Sequence, residues 1–139
     1  MTDRSANKGI VRDFIRTVWE GRDLAALASF WTEDCVNHVM PGPDNSGLAA
    51  LRAYHEHFFA DFSAFSHLQI EVVQQVAEGD RVVTQLTTRG EHSGPFYGLP
   101  PTGKEVSLST IRIDRLQDGR IVEHWSVADL AGLMQQLQA

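Results

Sequence analysis

Apolar residues in the first half of the chain recur at helical spacing. Ile10, Val11, Phe14, Ile15, Val18 and Trp19 share one helix face, with Gly21 placed to stop the helix and Asp23 to cap the next. A shorter amphipathic stretch from Leu24 through Leu27, Ala28, Phe30 and Trp31 predicts a second helix, ending at Thr32-Glu33-Asp34. Cys35 to Met40 reads as a brief extended piece. Pro41-Gly42-Pro43-Asp44-Asn45-Ser46-Gly47 breaks it and supplies an N-cap for a helix that begins near Leu48. The buried stripe of that helix is Leu48, Leu51, His55, Phe58, Phe59 and Phe62, with Tyr54 on its flank.

After Phe65 the chain becomes rich in Val, Ile, Thr and Gln. Leu68 to Ala77 and Arg81 to Gly90 form a predicted hairpin around Glu78-Gly79-Asp80, and Val106 to Leu116 and Ile121 to Ala128 a second around Gln117-Asp118-Gly119-Arg120. The Gly- and Pro-rich stretch from Gly94 to Gly103 can continue neither helix nor ladder, so it joins the hairpins as a loop. Leu130, Leu133, Met134 and Leu137 predict a last short helix. Helices first and strands afterwards predict an α+β fold, with helices packed on one face of an antiparallel sheet. A strongly curved sheet leaves a hollow under the helices, where a small molecule binds.

Composition narrows the class. A chain of 139 residues, 42% hydrophobic and 22% charged, is expected to form a single domain over 1–139. A net charge of −6 disfavours nucleic acid and anionic membrane surfaces. One cysteine, Cys35, excludes an intrachain disulfide, and neither a signal peptide nor a run of ~20 apolar residues is apparent, so a cytoplasmic protein is expected.

Six histidines invite a metal, but His55 and His57 lie on different sides of their helix and the rest are in separate segments, so none is expected. Dinucleotide and P-loop motifs are missing, as is the Gly-x-Ser-x-Gly elbow of a serine nucleophile. Cys35 reads as a small buried hydrophobe.

The last strand carries more. Period two puts Trp125, Val127 and Asp129 on one face and His124, Ser126 and Ala128 on the other; if the apolar pair looks inward, Asp129 enters the hollow, where desolvation raises its pKa and fits it for proton transfer. Equally, Asp129 is placed to cap the final helix. His92 shares a face with Leu86 and Val82, and His38 ends the short extended piece; both are either structural or assist the carboxylate. Trp19, Trp31, Tyr54 and Trp125 are candidates to line a flat ligand's pocket, with His55 and Phe58 on the wall formed by residues 48–62. Arg112 and Arg115 have opposite parity, and the pattern does not choose which looks in.

The run Gly79-Asp80-Arg81-Val82-Val83, then Arg89-Gly90-Glu91-His92-Ser93-Gly94, Gly98-Leu99-Pro100-Pro101-Thr102-Gly103 and Asp118-Gly119-Arg120-Ile121-Val122-Glu123-His124-Trp125 through Asp129 resembles the SnoaL-like polyketide cyclases, of the NTF2-like, ketosteroid-isomerase-like superfamily. The resemblance implies a cone-shaped α+β fold with a deep cavity, a homodimer formed through the sheet, and no metal or organic cofactor. It also implies a cavity carboxylate acting as general acid/base in an intramolecular aldol ring closure of a hydrophobic ketide, with Asp129 in the matching place. The alternatives are hydrolysis or isomerisation of a small molecule by the same carboxylate, and non-catalytic binding of an apolar ligand. The chain departs from the family pattern at Gln138-Ala139, where a Gly is usual, and at Asp61-Phe62, where Pro-Asp is frequent.

Overall fold

Residues 3–40, 43 and 45–139 are described by the structure, a computed structural model. Helix α1 (Arg4–Phe14) starts at Asp3, whose carboxylate accepts the Ala6 N–H at 3.0 Å, and runs on as a π-helical turn, Ile15–Glu20, to Gly21. A Cβ at Gly21 would stand 2.6 Å from the Thr17 carbonyl oxygen, so this exit requires glycine. A 3₁₀ turn (Leu24–Ala26) and the single helical turn α2 (Leu27–Phe30) follow, with Asp23 at the cap position but making no side-chain cap bond.

The second helix is shorter than its pattern predicts. Trp31 leaves it to open β1 (Trp31–Asn37), because its indole is buried edge-on against both Phe14 and His124, at 5.7 Å between ring centroids in each case. Cys35 is buried on the same strand, as expected. Of the loop that follows, Pro41, Gly42 and Asp44 lie outside the described residues. Helix α3 (Leu48–Phe62) begins where the spacing predicts, but its N-cap is Gly47, which makes no side-chain cap bond.

Strands β2 (Phe65–Glu78), β3 (Arg81–His92), β4 (Glu105–Gln117) and β5 (Arg120–Ala128) form the two expected hairpins, and α4 (Leu130–Gln138) closes the chain. Asp118 and Gly119 both have positive φ, 49° and 80°, as a two-residue hairpin turn with the right twist demands. The sheet order is β1-β5-β4-β3-β2. It is mixed rather than purely antiparallel, since β1 pairs with β5 in parallel.

One irregularity sets the phase of β5. From Thr110↔Ala128 to Arg115↔Glu123 the register is regular; the next pair is Leu116↔Ile121, so Val122 is an extra residue on β5, a β-bulge. Ile121 and His124 are consequently both buried, while Val127 is 78% exposed. This reverses the expected faces: Trp125, Val127 and Asp129 do not look into the hollow, and His124, Ser126 and Ala128 do. Two apolar clusters fill the interior, one around Phe14, Trp31, Leu51, Val82 and Ile121, the other around Phe65, Phe96, Leu108 and Leu133.

Candidate active site

A cavity of about 290 Å³ opens between the helices and the sheet. Its helical wall is aromatic. Trp19 meets Phe58 and Phe59 edge to face at 4.9 and 5.2 Å, and Phe58 stacks on Phe62 at 4.3 Å. Tyr54 and His55 complete the wall, and His55 is 2% exposed with its Nδ1–H donated to the Leu51 carbonyl at 2.8 Å. Burial lowers the His55 pKa from 6.5 to about 4, against the opposing backbone hydrogen bond, so the ring is neutral at pH 7.

The sheet wall is polar. Period two along β4 puts Arg112 and Asp114 on the inner face, and the phase of β5 puts His124 and Ser126 beside them. The Arg112 guanidinium grips Asp114 bidentately, Nε to Oδ2 at 2.8 Å and Nη2 to Oδ1 at 2.9 Å, and lies 4.9 Å over the Phe14 ring. Asp114 is 0% exposed. Burial by itself would raise its pKa, but Arg112 and His124 outweigh it and hold the carboxyl well below the usual carboxylate range. An ionised Asp114 accepts only, so His124 must donate its Nδ1–H to Oδ1, at 2.8 Å. The Nε2 lone pair is then free to accept from the Ser126 hydroxyl at 3.2 Å. Burial first, and Arg112 second, lower the His124 pKa against the pull of Asp114, which keeps this ring neutral. The arrangement is a buried neutral base, backed by an anion and flanked by a cation, on the edge of an aromatic-walled cavity.

Three residues of the lining hold buried N–H groups that find no acceptor among the described residues: Trp19 Nε1, Trp31 Nε1 and Asn37 Nδ2. Buried donors without partners are costly, and a ligand rich in carbonyl oxygens would satisfy them.

Of the residues singled out from sequence, the cavity gathers Trp19, Trp31, Tyr54, His55 and Phe58. It does not gather Trp125, His38, His92 or Asp129. Trp125 stacks on His38 at 4.8 Å on the outer face, and His38 Nε2 bonds Glu123 at 2.7 Å. His92 is buried at the far end of β3, where its Nδ1 accepts from the Thr102 backbone N–H at 3.3 Å and lies 2.9 Å from the Thr102 hydroxyl. Asp129 is exposed and accepts the Gly132 N–H at 2.9 Å, which makes it the cap of α4. Asp129→Ala is therefore expected to cost about 1 kcal/mol, the usual worth of an N-cap, and to leave turnover unchanged. Thermal unfolding and steady-state rates on one preparation test both halves. Arg115 faces outward and bonds Glu123 at 2.9 Å, so Arg112 is the inward arginine. Sequence reasoning missed Arg112, Asp114 and His124 as a group; the signal available was the alternation of Val106, Leu108, Arg112, Asp114 and Leu116 on one parity of β4.

The two neutral imidazoles make stability depend on pH. A histidine whose folded pKa lies below its unfolded value contributes fully above the unfolded value and loses that contribution as pH falls. For His55 the window runs from 6.5 down to about 4. A shift of that size is worth about 3 kcal/mol. Urea midpoints at pH 7 and pH 4.5 should separate accordingly in the wild type and less in His55→Gln; equal separation in both would remove His55 as the cause.

A family model described as "SnoaL-like polyketide cyclase" matches residues 9–137. Among curated proteins, aklanonic acid methyl ester cyclase DnrD of Streptomyces peucetius is 34% identical over 76 residues, 55% of this chain and 51% of that protein. Nogalonic acid methyl ester cyclase of Streptomyces nogalater is 32% identical over 69 residues, 50% and 52% of the two. The matched part thus spans about half the length of each curated relative. Among solved structures, TsrD of Streptomyces laurentii superposes with a TM-score of 0.77 at 29% identity, covering 99% of this chain and 98% of that one. AclR of Streptomyces galilaeus does so at 0.77 and 31%, covering 98% of each.

Proposed function

Because the chain belongs to the SnoaL-like polyketide cyclase family, we propose that it closes a ring in a small polyketide ester by proton transfer through His124. His124 Nε2 removes the acidic proton of a carbon flanked by carbonyls, and the negative charge spreads over the enolate oxygens, stabilised by Arg112. The carbanion adds to a second carbonyl of the same molecule, and the imidazolium returns its proton to the new alkoxide. Asp114 holds the ring in the tautomer that leaves Nε2 basic and stabilises the imidazolium while it exists. Every step is a proton transfer or the formation of one C–C bond, so no electron acceptor enters the balance.

The observation that carries this reading is the Asp114–His124 pair at the cavity edge, because it puts a neutral imidazole on the lining, whereas Asp129 caps a helix away from it. The test is direct incubation with a polyketide methyl ester bearing a 1,3-dicarbonyl and a second ketone. Ring closure appears as a product of unchanged mass with one fewer ketone carbon by ¹³C NMR. Substrate recovered unchanged after long incubation sinks the proposal.

We also propose a homodimer through the outer sheet face. Val76, Val83, Ile111 and Val127 are exposed there, and the register sets Val76 against Val83 and Ile111 against Val127, beside Trp125. Sedimentation equilibrium is expected to give twice the chain mass, and Ile111→Glu with Val127→Glu to give the single mass. Among the described residues no helix is long and apolar enough to cross a membrane. A reducing cytoplasm suits the buried Cys35 thiol, whose pKa burial raises.

A further inference from the structure

We propose that Ser126 is a nucleophile that takes the acyl group of a small carboxylic ester bound in the cavity, with His124 as its base and Asp114 behind the imidazole. This goes beyond ring closure, which needs no bond between enzyme and substrate.

The three groups form a relay. Asp114 Oδ1 stands 2.8 Å from His124 Nδ1, and His124 Nε2 stands 3.2 Å from Ser126 Oγ. Both separations fall within the reach of about 2.6–3.2 Å that an activated hydroxyl requires of its base and the base of its orienting group. The order of roles is also right: the carboxylate is fully buried, the imidazole is buried, and the hydroxyl belongs to the cavity lining. Such a relay is recognised by geometry rather than by sequence order, so the missing Gly-x-Ser-x-Gly elbow is no objection. An elbow serves to expose a serine on a tight turn; here the hollow of the fold exposes it on a regular strand.

The lining also carries side-chain donors without acceptors. Arg112 lies directly across the β4–β5 ladder from Ser126. Its Nε and Nη2 are committed to Asp114, and its Nη1 has no acceptor among the described residues. Asn37 Nδ2 is a second buried donor in the lining without a partner. Both can donate to an ester oxygen, and they do so more strongly as it turns into an oxyanion.

The reaction balances without a further reagent. Ser126 Oγ adds to the ester carbonyl as His124 Nε2 takes the hydroxyl proton. The tetrahedral intermediate collapses with cleavage of the acyl C–O bond, and His124 gives that proton to the departing alcohol. Water then adds to the acyl-serine with His124 again as base, releasing the acid and restoring the hydroxyl.

The probes are phenylmethanesulfonyl fluoride and p-nitrophenyl acetate, followed by whole-protein mass and peptide mapping. One sulfonyl group per chain on Ser126, a burst of one p-nitrophenol per chain and an acetyl group on the same residue are expected. Ser126→Ala should lose all three, and His124→Asn should slow labelling by about 10²-fold or more. Three results overturn the proposal: no adduct on Ser126 with either probe, an adduct on another residue only, or acetate release that persists in Ser126→Ala, which would mean that His124 drives water directly. Neither probe can cyclise, so these outcomes are independent of whether ring closure occurs.

Discussion

His124→Asn is expected to lower the turnover of ring closure by roughly 10²–10⁴-fold, the usual contribution of a positioned general base. Asparagine can place its amide N–H where the imidazole Nδ1–H lies and so continue to donate to Asp114, but it has nothing in the place of Nε2. The variant therefore separates holding the site together from carrying the proton. Its unfolding midpoint should stay near the wild type while kcat falls and KM changes little. The pH profile provides a second reading. In the wild type, burial and Arg112 keep the imidazole unprotonated to below its ordinary 6.5, so the acidic limb of kcat/KM should lie under that value. The charged and titratable groups that act on the ring are Arg112 and Asp114 on β4, His55 on α3 and, on the outer face, His38. A variant as fast as the wild type, with the same acidic limb, would take His124 out of the mechanism.

Asp114→Leu is expected to destabilise the fold by about 3–5 kcal/mol, because it leaves a buried guanidinium without its ionic partner. Arg112 has a side chain 5% exposed and two donors fixed on this one carboxylate. Arg112→Met combined with Asp114→Leu should recover most of that loss, since the pair then vanishes together and Phe14 gains an apolar neighbour in place of the cation. A double-mutant cycle by urea unfolding at pH 7 isolates the coupling. If the single substitution costs under 1 kcal/mol, Asp114 is not the anchor of this wall.

How much of this could be read from the chain depends on what each segment's pattern reports. Helix α3 was legible because Leu51, His55, Phe58 and Phe62 repeat on one face and the helix uses that face as a wall. The β4–β5 turn was legible because Asp118-Gly119 supplies two residues that accept positive φ. Trp31 was misplaced because local periodicity continues the helix through it, whereas a long-range contact with Phe14 and His124 decides otherwise. The faces of β5 were misread for a different reason. Hydrophobicity identifies the inner face only when the outer one is polar, and here the outer face carries Val76, Val83, Ile111 and Val127 while the inner one carries Arg112, Asp114 and His124. Asp129 then looked inward by association with Trp125, and the competing reading as a helix cap is the one its geometry fits.

The extra residue at Val122 gives β5 an unusual genetic fragility. Replacing a side chain anywhere from Ile121 to Ala128 alters one contact and leaves the others in phase. Removing a single codon near Val122 would do something different in kind: pairing with β4 would become regular, and every position between the bulge and the turn would change sides relative to those beyond it. Either Ile121 would leave the core or His124 and Ser126 would pass to the face that now holds Trp125. Substitution at the cavity edge therefore keeps the strand in phase, whereas a change of length in it shifts the phase of one side against the other.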